Sequence, residues 1–347
     1  MPWWDAQIHA DRRPLLMLRG RIKARLAAWF HAQEFTEVEC GILQSSPGNE
    51  AHLHAFGTQA HLPDGSRKPL YLHTSPEFAA KKLLAAGEEK IFEFARVFRN
   101  RERGRLHAPE FTMLEWYRAQ PKDDGADYRA VIADTLILLK LAADEAGKKL
   151  TYLDRECDAA AEAEWLTVAD AFRIHAGMEL LDTLSPYGKG DRDMLATRAK
   201  RAGFVIADHD GWSDIFSKVL AASIEPRLGA GKPTVLYDYP RAEAALARPK
   251  PEDPRLAERF ELYACGVELA NGFGELTDAN EQRARFIAEM DEKERVHGDR
   301  YPLDEDFLAA LAHMPPASGV ALGFDRLVML ASGAPNIDAV LWTPQAS

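Results

Sequence analysis

Two short segments of alternating polarity flank an arginine-rich loop, and this unit constrains the fold more than any other feature of the chain. Residues 91–99 and 111–117 each alternate as a β-strand does, and a polar loop at residues 100–109 joins them. The spacing predicts two antiparallel neighbours in one sheet. Both faces of the second strand are largely apolar, which predicts a central place for it in that sheet.

Further segments add helices and strands in a mixed order. Apolar residues at three- and four-residue steps predict a helix over residues 14–33, with Asp11 as its cap, and the same periodicity predicts another over residues 127–146. Residues 260–263 and 267–271 are predicted to form a hairpin. Strands and helices do not alternate regularly, so we predict an α+β fold with an antiparallel sheet flanked by helices.

Length and composition are those of an ordinary globular protein. The chain has 347 residues, and we expect a single domain over residues 1–347 with a helical insertion at roughly residues 121–230. The sequence contains 43 Lys and Arg and 54 Asp and Glu, which gives a formal net charge of −11. Such an acidic balance argues against general nucleic-acid binding, which depends on neutralised phosphates.

Cysteine usage and hydropathy both favour a cytoplasmic location. Three widely spaced cysteines, Cys40, Cys157 and Cys265, argue against a disulfide framework or a zinc knuckle. The N-terminus has no basic segment followed by an apolar one, so we expect no signal peptide. The most apolar window, residues 131–143, is too short and carries two charges, so we expect no membrane span.

Glu115 stands out because it lies on the predicted central strand. It shares a face with Phe111, Met113 and Tyr117. A carboxylate at such a position is costly unless it is paired or hydrogen-bonded. Beside a tyrosine hydroxyl it would seat an ammonium group, and the alternative is an internal salt bridge to a nearby arginine.

The predicted hairpin carries one acidic residue on each arm. Glu261 and Glu268 can approach one another across it, and two close carboxylates favour a cation such as Mg²⁺ between them. The alternative is two carboxylates at a solvent-exposed rim. On the second arm Leu269, Asn271 and Phe273 share a face with Glu275, separated by glycines that permit close approach.

Arginines complete the set of candidate binding residues. Arg326 follows a glycine-spaced strand near the start of a predicted helix, where the helix dipole disfavours it, so we expect an anionic or aromatic partner. Arg99, Arg103 and Arg105 stand in or beside the polar loop with Glu102, and arginine forks suit phosphate or carboxylate. Together these residues fit an ATP-using enzyme that acts on a cationic amino acid.

In combination these segments resemble the class II aminoacyl-tRNA synthetase catalytic domain of the lysyl type. Residues 97–117 resemble the family's motif 2, residues 266–278 its metal and amino-acid segment, and residues 319–326 its motif 3. The helix to Gln33 and the segment after it resemble motif 1, the dimer element. Because motif 1 begins almost at the N-terminus, we expect no OB-fold anticodon domain. A lysyl-type catalytic domain standing alone is similar to the paralogues that modify elongation factor P.

The resemblance implies an ATP-dependent ligase that forms an acyl-adenylate of lysine or (R)-β-lysine and transfers it to a lysine of elongation factor P. It implies a homodimer. Ala321 matches an alanine of the paralogues where lysyl-tRNA synthetases have glycine, a difference associated with (R)-β-lysine. The implied substrate-binding residues are Ser75, Glu77, Glu115, Tyr117, Asn271, Phe273, Glu275 and Ala321.

The resemblance also assigns the nucleotide end. Arg99 and Arg326 are the implied catalytic residues: Arg99 on the α-phosphate and carboxylate, and Arg326 over adenine opposite Phe111. Glu261 and Glu268 are implied ligands of Mg²⁺. The implied ATP-binding residues are Arg99, Glu102, His107, Phe111, Glu268, Leu269, Gly323 and Arg326.

Three departures from the family pattern keep other functions open. Arg101 replaces an acidic residue of motif 2, Ala108 replaces a frequent asparagine, and residues 39–41 lack the proline that usually ends motif 1. The first two positions touch ATP contacts. The alternatives are therefore a synthetase-like enzyme that charges tRNA or another amine acceptor, and a relative without catalytic activity.

Overall fold

The computed structural model describes residues 2–119 and 127–345. Its strands are β1 (Thr36–Glu37), β2 (Leu43–Gln44), β3 (Phe56–His61), β4 (Arg67–Leu72), β5 (Lys90–Phe98), β6 (Glu110–Ala119), β7 (Leu150–Tyr152), β8 (Arg155–Cys157), β9 (Glu164–Thr167), β10 (Thr234–Pro240), β11 (Leu256–Ala264), β12 (Val267–Gly274) and β13 (Ala317–Gly323). Its α-helices are α1 (Ala6–Ala32), α2 (Glu77–Ala85), α3 (Tyr128–Ala146), α4 (Val168–Ala176), α5 (Arg192–Arg201), α6 (Trp212–Val219), α7 (Ala279–His297), α8 (Glu305–Leu311) and α9 (Phe324–Ser332).

An eight-stranded sheet organises the chain in the order β1-β5-β6-β13-β12-β11-β10-β9. The two outermost pairs, β1 with β5 and β9 with β10, are parallel, and the remaining pairs are antiparallel. The predicted strand–loop–strand unit is the pair β5–β6, and the predicted hairpin is the pair β11–β12. The α+β prediction is confirmed, and β6 is an inner strand as expected.

The two faces of this sheet have different surroundings. Leu114 and Trp116 on β6 are fully buried in the main core, which α1, α3 and α9 cover with residues such as Phe30, Leu138 and Leu327. The residues that alternate with them, including Glu115 and Tyr117, point to the opposite face. That second face carries the cavities described below.

Helix α1 starts earlier than predicted. It begins at Ala6 rather than near Pro14, and its cap is Asp5 rather than Asp11. The Asp5 carboxylate accepts hydrogen bonds from the backbone amides of Gln7 and Ile8, at 3.0 and 3.3 Å. This cap satisfies the free amides of the first turn, so the helix continues through Pro14 at the expense of one internal hydrogen bond.

The segment from residue 127 to residue 230 contains α3 to α6 and the short strands β7 to β9. Part of it has a hydrophobic cluster of its own, in which the Phe172, Trp212 and Phe216 rings stack. Strand β9 nevertheless pairs with β10 of the main sheet. The predicted start of the insertion, residues 121–126, lies outside the described residues, and the division into one domain with an insertion stays a prediction.

None of the helices in residues 2–119 and 127–345 combines the length and hydropathy that a bilayer span requires.

Candidate active site

Register across four strands aligns predicted site residues in one row. Glu261 on β11 stands opposite Asn271 on β12, Asn271 opposite Ala321 on β13, and Ala321 opposite Glu115 on β6. Because residues paired in this way across a sheet point to the same face, these four side chains line one continuous surface. The sheet itself therefore brings together residues separated by up to 206 positions in the chain, from Glu115 to Ala321.

One cavity of about 60 Å³ lies over the β6 end of this row. All eight predicted substrate-binding residues line it. Its other lining residues include Glu50 and Arg99. The structure thus assembles the whole predicted amino-acid site, whose individual roles remain predictions.

Glu115 forms the buried acidic wall of this cavity. Its side chain is 2% exposed, and its carboxylate accepts hydrogen bonds from Ser75 Oγ at 2.6 Å and Tyr117 Oη at 2.8 Å. Burial raises the pKa of Glu115 to about 8, and these hydrogen bonds oppose the rise only in part. No lysine or arginine among the described residues pairs with it, so the alternative of an internal arginine salt bridge is wrong.

Glu77 and Glu275 share a lysine that the sequence analysis did not single out. Lys81 Nζ lies 2.5 Å from Glu275 Oε2 and forms a hydrogen bond with Glu77 Oε1. Lys81 and Glu275 are 1% and 0% exposed. Burial alone would lower the pKa of the Lys81 ammonium, but the two carboxylates raise it above its ordinary range. The four-residue spacing from Glu77 to Lys81 in α2 was the available signal.

Close packing at the back of this cavity requires glycine at position 319. A Cβ atom there would lie 2.4 Å from the Tyr117 ring and 2.5 Å from Glu275 Oε1. Gly319 therefore allows the aromatic ring and the carboxylate to approach the β13 backbone.

A second cavity of about 120 Å³ lies beside the first. All eight predicted ATP-binding residues line it. Ala108, which stands where the family often has asparagine, also lines this cavity and is buried. Arg101 is not among the lining residues. It is exposed and has a left-handed backbone conformation, with φ of 66°. Of the two departures from the motif 2 pattern, only Ala108 therefore touches this cavity in the structure.

Arg326 has the anionic partner that its position predicted. Its Nη1 donates to the Glu268 backbone oxygen at 2.9 Å and lies 3.4 Å from Glu268 Oε2. Its Nη2 lies 2.7 Å from His107 Nε2, and its Nε donates to the Leu106 carbonyl at 3.2 Å. Arg99 lies 5.4 Å from the centroid of the Phe111 ring. Arg326 thus stands at the cavity on polar partners that a phosphate could replace, and Arg99 stands beside the Phe111 ring.

Glu261 and Glu268 differ in exposure. Glu261 is buried, and it accepts hydrogen bonds from Arg259 and from Tyr263 Oη, both at 2.6 Å. Glu268 has 40% of its side chain exposed. Burial raises the pKa of Glu261, Arg259 opposes that rise, and the nearby Glu268 carboxylate adds to it. The alternative of two solvent-exposed carboxylates is therefore wrong for Glu261.

The pair fits Mg²⁺ by its chemistry. Mg²⁺ is commonly held by one or two carboxylates together with substrate phosphates and water. Among the described residues no three His, Cys, Asp or Glu side chains form a metal site by themselves. Two carboxylates would leave the other positions on the ion to phosphate oxygens and water.

Two further residues belong to the site and had no signal in the sequence pattern. Glu50 lines the first cavity from the loop before β3, and burial raises its pKa to about 7. Arg259 bridges Glu261 and the Asn271 side-chain oxygen, at 2.6 and 3.2 Å. Glu50 lies in an irregular loop, and Arg259 looks like an ordinary strand residue, so periodicity could not single out either.

Comparison with known proteins finds a family model and several relatives that match nearly the whole chain. Residues 3–347 match the family model described as tRNA synthetases class II (D, K and N). A protein from Avibacterium paragallinarum is 39% identical over 328 residues, which are 94% of either chain. One from Haemophilus influenzae PittGG is 39% identical over 337 residues, 96% of either chain. One from Proteus mirabilis HI4320 is 40% identical over 335 residues, 95% of this chain and 94% of that protein. All three are named elongation factor P–(R)-β-lysine ligase.

Proposed function

The chain belongs to the class II tRNA synthetases of the D, K and N type, and we propose that it activates lysine or (R)-β-lysine with ATP and transfers it to a lysine side chain of elongation factor P. Its fold is the catalytic domain of that family, built on the antiparallel-dominated sheet described above. The names of its relatives support the acceptor and the amino acid.

The observation that carries this proposal is the contact between the two cavities. Arg99, Asn271 and Ala321 line both of them. A cationic amino acid with its ammonium groups among the carboxylates of the first cavity would therefore present its carboxylate at Arg99. The α-phosphate of ATP in the second cavity would meet it there.

The proposed first step joins these two groups. An oxygen of the amino-acid carboxylate attacks the α-phosphorus, the bond to the β-phosphate breaks, and pyrophosphate leaves. Arg99 orients the attacking carboxylate and balances the negative charge that builds up on the phosphate, and Arg326 and Phe111 enclose the adenine. Positioning and charge neutralisation are the main contributions that such a site makes to the rate.

Glu261 and Glu268 would hold Mg²⁺ in this proposal. The ion would neutralise charge on the phosphates of ATP. Arg259 keeps the Glu261 carboxylate oriented, as its hydrogen bond indicates.

The second step forms an amide. The ε-amine of the acceptor lysine attacks the acyl carbon, the acyl–phosphate bond breaks, AMP leaves, and the amine loses a proton. Free cysteines at all three positions fit a reducing compartment, and we place the reaction in the cytoplasm. We also propose a homodimer through α1 and β1, the segments that resemble motif 1.

ATP–pyrophosphate exchange with α-lysine, (R)-β-lysine and ornithine tests the first step, and the mass of purified elongation factor P after incubation tests the second. We expect exchange with lysine or β-lysine and a mass increase that corresponds to one residue. Exchange without a mass increase, together with acid-stable charging of tRNA, would favour the synthetase-like alternative. Absence of exchange with all three amino acids would favour a non-catalytic relative.

A further inference from the structure

Lys81 is buried behind the amino-acid cavity. It does not line that cavity, but its Nζ contacts Glu77 and Glu275, which do. The ammonium also lies 5.3 Å from the centroid of the Phe273 ring. An ammonium group that is 1% exposed persists only when opposite charges compensate it, and here two cavity carboxylates do so.

The charge of the cavity wall depends on this lysine. Glu77, Glu115 and Glu275 line the cavity, and Lys81 supplies one positive charge directly behind them. When a cationic ligand occupies the cavity and all four groups are ionised, they carry two net negative charges. A diamino acid such as lysine or β-lysine carries two ammonium groups, so the charges would balance.

Without Lys81 the same wall would hold three clustered carboxyl groups. Burial raises the pKa of Glu275 to about 8, Lys81 is the strongest influence in the opposite direction, and Glu77 adds to the rise. Like charges in a buried site take up protons rather than remain ionised together. A protonated Glu275 would lose most of its attraction for an ammonium group.

We propose that Lys81 is a positioning residue: its ammonium pairs with Glu77 and Glu275 and offsets one of the three cavity carboxylates, which leaves two negative charges in the occupied site for the two ammonium groups of a diamino acid. This inference depends on the proposed function for the identity of the substrate. It assigns Lys81 a role in specificity although Lys81 touches no substrate.

Other charged or titratable groups face the same carboxylates and have to be considered in any pH measurement. They come from β6, from the loop before β3, from the residue after β5 and from the segment before β11. These groups are Glu50, Arg99, Glu115, Tyr117 and Arg248. None of them changes in the variants below, so their contribution is common to all.

The test compares Lys81→Met with Lys82→Met on the same helix. Lys82 pairs with Asp304 and Asp306, at 3.0 and 2.8 Å, away from the cavity. For Lys81→Met we expect the KM for the amino acid in pyrophosphate exchange to rise by about tenfold or more, with kcat within about threefold. The acidic limb of the kcat/KM profile should move to higher pH by about one unit. Lys82→Met should keep the profile of the unmodified enzyme.

The apoprotein gives a second measurement that does not depend on activity. Because the pKa of Glu275 is about 8 with Lys81 in place, loss of Lys81 should raise it further, and folded Lys81→Met should keep a proton above pH 8 that the unmodified protein releases. Its unfolding free energy should therefore fall more steeply between about pH 8 and pH 10. If Lys81→Met does not fold, Lys81→Met with Glu275→Gln removes both charges of the pair. That double variant should fold, and its KM and acidic limb should match those of Glu275→Gln alone.

The outcomes separate this inference from the proposed function. If the unmodified enzyme activates no diamino acid, the proposed function is contradicted. The pH dependence of unfolding of Lys81→Met then tests the effect of Lys81 on Glu275 independently of activity. An active enzyme whose Lys81→Met variant keeps its KM, its acidic limb and its unfolding slope contradicts the inference. A lower kcat with an unmoved acidic limb would show a merely structural role and would also contradict it.

Discussion

At the amino-acid end of the site the carboxylates of Glu115 and Glu275 are 2% and 0% exposed, whereas at the nucleotide end the side chains of Arg326 and Glu268 are 20% and 40% exposed. The first end holds more buried carboxyl groups than buried cations. The second holds arginines on backbone carbonyls, an imidazole and a half-exposed carboxylate. One end thus has its acidic groups buried and hydrogen-bonded before a ligand arrives, and the other has a cation on partners that a ligand can displace.

This difference matches what each end is proposed to bind. A desolvated carboxylate competes better with water for an ammonium group than an exposed one does. The free-energy cost of burying these acids lowers the stability of the folded protein and is not subtracted from substrate binding. A triphosphate brings its own large charge and can draw flexible guanidinium groups to itself. The following substitutions separate the two ends, from the largest expected effect to the smallest.

The largest effect should come from Arg99, where the two cavities meet. Arg99→Met removes the proposed partner of the reacting carboxylate and phosphate, and we expect pyrophosphate exchange to fall by about 10³-fold. Arg103→Met is the matched control, because Arg103 lies in the loop that follows Arg99 but pairs with Asp338. If exchange falls by less than about tenfold in Arg99→Met, the amino-acid carboxylate and the α-phosphate do not meet at this residue.

Glu115→Gln should uncouple stability from activity. Exchange should fall by about 10²-fold because the ammonium loses a buried charge. In the empty protein the pKa of Glu115 is about 8, above that of an ordinary Glu, so the folded state holds a proton that the unfolded state releases. The unmodified protein should therefore lose stability as the pH rises from about 5 to 8, and Glu115→Gln should be more stable at pH 8 by about 3 kcal/mol.

Chemical denaturation at pH 5 and pH 8 measures that difference. Glu110→Gln is the control, since Glu110 begins the same strand, pairs with Arg96 at 2.6 Å and is partly exposed. Equal pH dependence for the unmodified protein and Glu115→Gln would mean that Glu115 is ionised without a ligand.

At the nucleotide end Glu268→Gln should alter the need for Mg²⁺. Glu268 is the more exposed of the two proposed ligands, and Gln keeps its shape without its charge. We expect the Mg²⁺ concentration for half-maximal exchange to rise about tenfold, with the KM for the amino acid unchanged. Glu258→Gln on the neighbouring strand, where Glu258 pairs with Arg248, should keep the original Mg²⁺ dependence. A raised KM for lysine in Glu268→Gln would contradict the separation of the two ends.

The smallest effect belongs to Ala321, which lines both cavities. One methyl group in a pocket discriminates by about 1–3 kcal/mol, so Ala321→Gly should change the preference between α-lysine and (R)-β-lysine by about fivefold or more. The ratio of kcat/KM for the two amino acids measures it. An unchanged ratio would remove Ala321 from the residues that determine specificity.

The sequence predicted the framework of this site because local patterns carry it. The alternation around Glu115 and the hairpin around Glu261 both became strands of the main sheet. The start of α1 was misjudged because Asp11 and Pro14 make a plausible helix start, whereas Asp5 makes the actual cap. Local signals of this kind cannot rank two competing caps.

Contacts between distant segments were the part that the sequence could not supply. Lys81 looks like one of two adjacent lysines on an amphipathic helix, and only the folded chain shows that it meets Glu275, 194 positions away. The same holds for Arg259, which belongs to the site because it donates hydrogen bonds to Glu261 and Asn271. Pattern analysis identifies which residues share a face, and tertiary packing decides which of them neutralise one another.

One buried cluster joins α1 to both sides of the nucleotide cavity. Arg19 of α1 forms an ion pair with Asp325 and donates to Thr112 Oγ1 at 2.9 Å, and the Thr112 amide donates to Asp325 Oδ2 at 2.9 Å. Thr112 follows Phe111 in the chain, and Asp325 precedes Arg326. A rotation of α1 about its axis would therefore move the backbone that carries Phe111 and Arg326, the residues proposed to enclose the adenine. If two subunits meet along this helix, the Arg19 guanidinium would couple the position of the subunit interface to the position of the nucleotide cavity in each subunit.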